Sequence, residues 1–537
     1  MKKIILAALL FCFGMTVTAQ EKDPLSCTSI MVGKKASADG SVMTSHTCDS
    51  WYRTWMEIRP AIEFKNDTVI NIYDGLMHTE HSEDKTRVVV KGTIPQPKGK
   101  TYRYLDSSYP CLNEYQLGMG ETTISGRDTL QNKAGMFMIE ELARVALQRC
   151  KTAREAIALM GQLVKQYGYA DSGECLTIAD TKEVWIFEVF GEGPDKVGGV
   201  WAAQRIPDDE VGVSANICRI GKINVKDKDH FMASDNVKEV AKKLGFWNGK
   251  DEFYFWKAYS GANYVGEMKN YSTRELFILQ QLAPSLNLTN DIEDLPVSIK
   301  PDKQVSVTDV VKLLGTYYEG TELDLTQHMR VPNSKRGITD KGPWEAADSI
   351  VSPVANPWMR TDEINMMYAL TKDPAFKWTR TVSVPQCAYS TVIQLRDWMP
   401  DAIGGVAWVC LDNPGQSPRY PIFCGNTQLP QVLKICGNHR YREDSALWHF
   451  RQANKLATVR WGTCRTTMEP ARDYFLQKGL RELPFVEDTY TRLAAKANDE
   501  KEATDFLNGY VSDYVGGAIL KWDELYRTYW RLFWSGF

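Results

Sequence analysis

The chain has 537 residues, 43% of them hydrophobic and 24% charged, and its formal net charge at pH 7 is -3. No segment is strongly basic, so nucleic acid and anionic membrane surfaces are poor partners for it. A chain of this length exceeds the size at which single hydrophobic cores stop growing, and we expect either one elaborated domain or two.

The N-terminus is organised like a secretory signal peptide. An apolar run from Ile4 to Val17 follows Met1 and two lysines, and Thr18-Ala19-Gln20 offers a small-residue cleavage site. The pattern predicts a signal peptide over residues 1–19 and an exported protein, periplasmic or extracellular. We expect no membrane span in the mature chain, because no later stretch approaches the ~20 apolar residues that a span needs.

A polar stretch, residues 20–26, separates the predicted cleavage site from Cys27. It is too short for a domain but suits a removable propeptide. Cleavage between Ser26 and Cys27 would give Cys27 a free α-amine with a pKa of about 7.7 to 8.0, close to the ~8.5 of a thiol. One residue would then supply both a nucleophile and a base, with no need of a partner histidine.

Two other roles for Cys27 stay open at this point: a buried or disulfide-bonded cysteine, and the lipid-modified cysteine of an exported lipoprotein. The lipoprotein alternative is weakened because Cys27 lies beyond the acidic Glu21 and Asp23 rather than at the end of the hydrophobic run. Twelve cysteines include Cys12 in the signal peptide, which leaves eleven. The odd number leaves at least one thiol outside any intramolecular disulfide.

Strand signals begin directly after Cys27. Thr28–Gly33 and Ser41–Ser45 are rich in strand formers, and the Asp39-Gly40 turn between them predicts a hairpin. Polar Asp180 to Glu183 predicts a second hairpin. Further predicted strands are Val88–Val90, Cys175–Ala179, Val184–Val189, Thr391–Leu395 and Val406–Cys410.

Helical periodicity occupies two later regions. Lys133–Cys150 and Thr152–Tyr167 carry apolar residues at three and four spacing, and the second has Thr152 as an N-cap and Gly168 at its end. After Cys436 the pattern is helical to the end of the chain, with Pro470 and Pro484 as predicted helix boundaries. We therefore expect helices that cover a sheet.

Residues 27–41, CTSIMVGKKASADGS, resemble the start of the mature dipeptidase A and secernin family of cysteine N-terminal nucleophile (Ntn) hydrolases. The resemblance covers most of the chain to about Cys424. It continues in the same order at Asn113-Glu114-Tyr115, Ser214-Ala215-Asn216, Tyr271-Ser272-Thr273-Arg274, Tyr317-Tyr318-Glu319-Gly320-Thr321 and Asp324.

The resemblance implies an α+β fold, a four-layer αββα sandwich over residues 27–436, with a C-terminal helical region over 437–537. It also implies autocatalytic removal of the propeptide and hydrolysis of dipeptides without a metal or organic cofactor. Small peptides are then the expected partners, and a homo-oligomer is as compatible with the sequence as a monomer.

The resemblance also assigns site residues. In this family and the related choloylglycine-type amidases, an acidic residue shortly after the nucleophile orients the N-terminal amine, and Asp49 is similarly placed. His46 stands where those relatives usually carry arginine, so its charge depends on pH. Asn216 matches an oxyanion-hole asparagine, and Arg274 an arginine whose charge favours the thiolate. The second oxyanion donor is expected from the backbone of Gly118–Thr122, where Glu121 stands near the relatives' asparagine.

Each assignment has a plainer alternative. Without the resemblance, Asp49 and Asn216 would be turn residues, and Arg274 a surface residue near a helix N-terminus capped by Ser272 or Thr273. The same chemistry would also serve an acyl-amide hydrolase acting on conjugated bile acids, penicillin V or acylated homoserine lactones. A third reading is a non-catalytic exported envelope protein, which the unexpected His46 and Cys48 leave open.

Overall fold

The computed structural model describes residues 27–50, 52–260, 269–333, 349–497 and 501–536, so the predicted signal peptide and propeptide lie outside the described residues. Its strands are β1 Ser29–Val32, β2 Val42–Cys48, β3 Glu57–Arg59, β4 Glu63–Phe64, β5 Thr68–Asp74, β6 Val89–Gln96, β7 Gly99–Lys100, β8 Tyr104–Asp106, β9 Leu112–Asn113, β10 Gly118–Thr123, β11 Glu174–Ala179, β12 Val184–Gly191, β13 Gly199–Ile206, β14 Val211–Ser214, β15 Phe231–Ala233, β16 Ser298–Ile299, β17 Arg330–Pro332, β18 Ser349–Val351, β19 Tyr389–Leu395, β20 Val406–Leu411 and β21 Tyr420–Phe423. Its helices are α1 Ile139–Arg149, α2 Ala153–Tyr167, α3 Val237–Lys243, α4 Phe255–Tyr259, α5 Thr273–Leu282, α6 Val307–Leu314, α7 Thr361–Thr371, α8 Asp401–Gly404, α9 Ala446–Thr458, α10 Trp461–Ala497 and α11 Lys501–Leu532.

Two antiparallel sheets face each other at the centre of the protein. The first has the strand order β16-β14-β1-β2-β19-β20-β21 and the second β15-β13-β12-β11-β10-β9-β8-β3. Strand β2 packs across β10 and β11, and a side chain on Gly120 would come within 2.1 Å of the Ser45 oxygen. Glycine at this position therefore lets the two sheets approach closely at the strands that carry the site.

Helices cover the outer faces of both sheets. Helix α2 packs on β12 and β13 of the second sheet, whereas α9, α10 and α11 contact β20 and β21 of the first. One continuous hydrophobic cluster joins the strands to these C-terminal helices. The order across the molecule is therefore helix, sheet, sheet, helix, and the region after residue 436 shares the main core.

The hairpin predicted after Cys27 is confirmed. Strands β1 and β2 pair antiparallel at Val32 and Met43, and Gly40 in the connection has φ 81°. That left-handed conformation favours glycine, as the Asp39-Gly40 signal indicated. The second predicted hairpin is also confirmed, because β11 and β12 pair in register from Glu174 with Val189 to Ala179 with Val184.

Helix α2 begins and ends where its capping signals predicted. The Thr152 side chain accepts a hydrogen bond from the Glu155 N–H at 3.2 Å, and the Glu155 carboxylate accepts one from the Thr152 N–H at 3.1 Å. Gly168 ends the helix with φ 79°. This reciprocal capping box satisfies two donors that a helix N-terminus otherwise leaves unpaired.

The predicted helix over Lys133–Cys150 is only half right, because α1 begins at Ile139. The preceding residues pair instead with the last residue of α2 and the chain just after it: the Met136 N–H donates to the Tyr167 oxygen at 2.9 Å, and Phe137 forms a bridge with Tyr169. Tertiary pairing overrides the local helical periodicity there.

The prediction that Pro470 and Pro484 mark helix boundaries is wrong. Both lie inside α10, a 37-residue helix. Each proline costs one main-chain hydrogen bond, but α10 packs along α11 and buries side chains such as Met468 and Val486 around the two prolines. None of the helices in the described residues is long and apolar enough to cross a membrane.

Candidate active site

Cys27 lies immediately before β1 and alongside β2. The Thr28 N–H donates to the Thr47 hydroxyl at 2.9 Å, and the Thr47 N–H donates to the Thr28 oxygen at 2.9 Å. This pairing fixes Cys27 next to the part of β2 that carries His46. All eleven cysteines from Cys27 onward are buried free thiols, so the alternative of a disulfide at Cys27 finds no support among the described residues.

His46 lies between Cys27 and Glu121. Its Nε2 atom is 3.2 Å from Glu121 Oε2, close but not aligned as a hydrogen bond. The rings of Tyr109 and Tyr389 meet the imidazole edge-on, with centroids 5.4 and 5.6 Å away. Burial alone would lower the pKa of His46, but its interactions with Cys27 and Glu121 outweigh burial and raise the pKa to about 9. The imidazole is therefore cationic at neutral pH.

The Cys27 thiol is held in its neutral form by most of its surroundings, and one neighbour opposes them. Burial raises its pKa well above the ordinary value, and a hydrogen bond with Cys48 and the charge of Glu121 act in the same direction. The hydrogen bond and positive charge of His46 lower the same pKa. His46 thus favours the thiolate, although burial, Cys48 and Glu121 together outweigh it and the pKa of Cys27 stays raised.

Arg274 is fully buried, so the alternative of a surface arginine is wrong. Its Nη1 donates to the carbonyl oxygen of Cys27 at 2.9 Å and its Nη2 donates to Asn216 Oδ1 at 2.8 Å. Ser272 caps α5 as one of the two predicted candidates, and the capping residue Glu275 also accepts the Ala215 N–H at 2.7 Å. The start of α5 therefore holds both the Cys27 main chain and the segment before Asn216.

Asn216 is buried and has φ 72°, a left-handed conformation that asparagine tolerates better than most residues. Its Nδ2 donates to the Thr123 oxygen at 2.8 Å. An amide nitrogen carries two hydrogens, so one remains to serve as the predicted oxyanion donor. Thr123 in turn donates through its hydroxyl to Glu121 Oε1 at 3.1 Å. A closed ring of polar contacts thus runs from Cys27 through His46, Glu121, Thr123, Asn216 and Arg274 back to Cys27.

Asp49 forms a buried ion pair with Arg380. Arg380 Nη2 donates to Asp49 Oδ2 at 2.7 Å, and the Thr47 hydroxyl donates to the same oxygen at 2.8 Å. Asp49 Oδ1 is buried without a hydrogen-bond partner in the described part of the chain. Because Thr47 also bonds Thr28, the carboxylate is linked to the residue next to Cys27. The Cys387 thiol also lies against the carboxylate, and Oδ1 is the oxygen with spare capacity to accept from an amine.

The sequence did not predict the contacts that two residues of the site make. Glu121 was expected to contribute through its backbone, yet its carboxylate contacts His46. Arg380 was not singled out at all, and it stands 331 residues from Asp49 in the sequence. No local pattern could have shown either contact. For Glu121 there was one indirect signal: a buried histidine at position 46 needs an acidic side chain near it as a counter-charge.

One group of side chains in the described residues could hold a metal ion. The ligand atoms of Cys27, His46 and Glu121 lie within 4.8 Å of one another. Thiolate, imidazole and carboxylate form a ligand set that suits Zn²⁺. A metal bound there would engage the same sulfur that the sequence predicts as a nucleophile.

The raised pKa of His46 predicts an alkaline limit to any hydrolysis that uses the Cys27 sulfur. The cationic form persists below about pH 9 and is lost as pH rises through that value, so kcat/KM should fall with a midpoint near 9. His46→Arg keeps its charge at all these pH values and should move the alkaline limit upward. Replacing the part-exposed His230 by Arg is the matched control. Identical alkaline limits in the wild type and His46→Arg would contradict the role of His46.

Comparison with known proteins places the chain among peptidases. It is 26% identical over 428 residues to a probable dipeptidase of Latilactobacillus sakei, covering 76% of each chain. It is 24% identical to probable dipeptidase B of Streptococcus pyogenes serotype M1, covering 85% of this chain and 83% of the relative. A probable dipeptidase A of S. pyogenes serotype M3 (strain SSI-1) is 22% identical, with 92% and 95% covered.

The sequence model of Peptidase family C69 matches residues 26–473. The chain belongs to this family, and it is a peptidase. The resemblance drawn from residues 27–41 is thereby confirmed at the level of the family. The match starts beside Cys27 and extends into α10, beyond the boundary at residue 436 that the sequence predicted for the peptidase domain.

Proposed function

We propose that this protein is an exported dipeptidase whose nucleophile is Cys27, made N-terminal by autocatalytic removal of residues 20–26. The observation that carries the proposal is the ring of polar contacts that holds Cys27 between His46 and Arg274 at the start of β1. The dipeptidase names of relatives that align over most of their length support the substrate class. The helix, sheet, sheet, helix order is consistent with an αββα Ntn-hydrolase sandwich, which we propose as the fold family.

In the proposed reaction the Cys27 sulfur attacks the scissile carbonyl carbon while its own α-amine takes the thiol proton. The amine then gives that proton to the departing amine of the second residue, and water hydrolyses the remaining thioester. The second N–H of Asn216 stabilises the oxyanion, which exists only during reaction. Asp49 Oδ1 holds the α-ammonium, and the His46 cation favours the thiolate.

The intact mass of the purified secreted protein tests the processing step. We expect a chain that begins at Cys27, because only then does the cysteine carry a free amine. Incubation with a panel of dipeptides should release free amino acids without added metal, whereas glycine-conjugated bile acids and penicillin V should be cleaved far more slowly. A chain that starts at Gln20, or that carries lipid on Cys27, would exclude the mechanism. Preferential cleavage of the acyl amides would replace the dipeptidase function by the acyl-amide hydrolase alternative.

A further inference from the structure

Two buried carboxyl groups lie side by side next to Cys27. Strands β10 and β11 pair Glu121 with Leu176 and Thr123 with Glu174, so Glu121 and Glu174 project from the same face of the sheet as diagonal neighbours. Both are buried, with 0% and 3% of their surface exposed. Because water is almost fully excluded from both side chains, a negative charge on either one must be stabilised by neighbouring groups.

The pair is under-satisfied. Glu174 Oε2 and the neighbouring Tyr169 hydroxyl are buried without hydrogen-bond partners in the described residues. Burial, the adjacent Glu121 charge and a side-chain hydrogen bond with Glu121 raise the pKa of Glu174 well above its usual range, and Asp171 and Cys27 act in the same direction. His46 balances one negative charge of this group. A second cation would give the buried Oε2 atoms of Glu174 and Glu121 a partner that the described residues do not supply.

A dipeptide carries such a cation at a fixed distance from the reacting atom. Its α-nitrogen is two bonds from the scissile carbonyl carbon, roughly 2.5 Å away by standard backbone geometry. Glu121 has a carboxylate oxygen within 4.8 Å of the Cys27 sulfur. When the carbonyl carbon meets this sulfur, an ammonium group turned towards β10 therefore comes within reach of Glu121, and Glu174 is its neighbour on the same face of the sheet.

We propose that Glu121 and Glu174 form the subsite that binds the free α-ammonium group of the substrate. The enzyme then requires a peptide with an unblocked N-terminus. The proposal rests on the proposed dipeptidase function and adds the reason for its substrate class: the acyl groups of bile-acid or penicillin amides bring no cation to this position, whereas every dipeptide does. Glu121 also holds His46, so Glu174 is the residue through which ammonium recognition can be tested separately.

The test compares alanylalanine with N-propionylalanine, in which hydrogen replaces the amine, and with N-acetyl-alanylalanine. For the wild type we expect kcat/KM to favour the free amine by roughly 100-fold, the size of a lost charged hydrogen bond in a buried site. Glu174→Gln preserves shape but cannot become anionic, and the preference should fall below about tenfold. Glu140→Gln is the matched control, because Glu140 is a buried carboxyl of α1 whose pKa burial raises to about 8.

The possible outcomes separate this proposal from the one on which it rests. Equal rates on alanylalanine and N-propionylalanine in the wild type would overturn the ammonium subsite and leave the amidase chemistry intact. An unchanged preference in folded Glu174→Gln would also overturn it. If Glu174→Gln does not fold, equal wild-type rates on the two substrates still overturn the proposal. Failure of the wild type to cleave any dipeptide would remove the proposed function itself.

Discussion

Replacing Cys27 by alanine should abolish peptide hydrolysis, with a loss of turnover on the order of 10⁴-fold or more. The structure gives the physical reason. The His46 cation interacts with the Cys27 thiol, and Arg274 donates a hydrogen bond to the Cys27 main chain, so both act on this residue. Cys27→Ala should also remain unprocessed, because the sulfur needed to cleave the bond before residue 27 is missing. Mass spectrometry and release of amino acids from a dipeptide would measure the two effects on one sample.

Cys48 supplies the matched control for Cys27. It is another buried thiol of the same site, in contact with Cys27 at the end of β2. Cys48→Ala should be processed normally and should keep most of its turnover, since Cys48 is not the nucleophile in the proposed reaction. Loss of processing in both variants alike would point to packing rather than to the Cys27 sulfur. Normal hydrolysis by Cys27→Ala would refute the mechanism.

The sequence predicted best what local chemistry determines. The turn at Gly40 and the capping box at Thr152 appear where their signals placed them, because a left-handed glycine and a reciprocal cap act within a few residues. The two prolines of α10 show the opposite case. Their local cost is real, but it is smaller than the gain from packing a long helix on α11, and no local pattern reports that packing.

The candidate site shows the same contrast between residues close to Cys27 in the sequence and residues far from it. The resemblance proposed His46 and Asp49 from their places shortly after Cys27, in or beside the hairpin of β1 and β2. Glu121 and Arg380 come from distant parts of the chain, and their contacts depend on how the two sheets and the segment before β19 are packed. The resemblance to a family therefore predicted the candidate site, whereas the counter-charges around it became visible only in three dimensions.

The buried pair of Asp49 and Arg380 should be the most sensitive ion pair of the site. Replacing Arg380 by methionine leaves the Asp49 carboxylate buried without its guanidinium, a loss that typically costs about 3–5 kcal/mol. We expect a clear fall in the denaturant midpoint of Arg380→Met with little change in slope. Lys165→Met is the control, because it breaks an exposed ion pair with Asp235, whose side chains are 76% and 89% exposed, and it should change the midpoint little.

The double variant Asp49→Asn with Arg380→Met separates stability from catalysis. Once the carboxylate is neutral, no isolated charge remains buried, so stability should recover relative to Arg380→Met alone. Activity should not recover, because an asparagine in place of Asp49 no longer offers an anion to hold the Cys27 α-ammonium. If activity returned together with stability, Asp49 would be only a structural partner of Arg380, and the orientation of the amine would have to come from another group. If neither returned, the Arg380 guanidinium would itself be required near the start of β1, through the chain of contacts from Asp49 to Thr47 and Thr28.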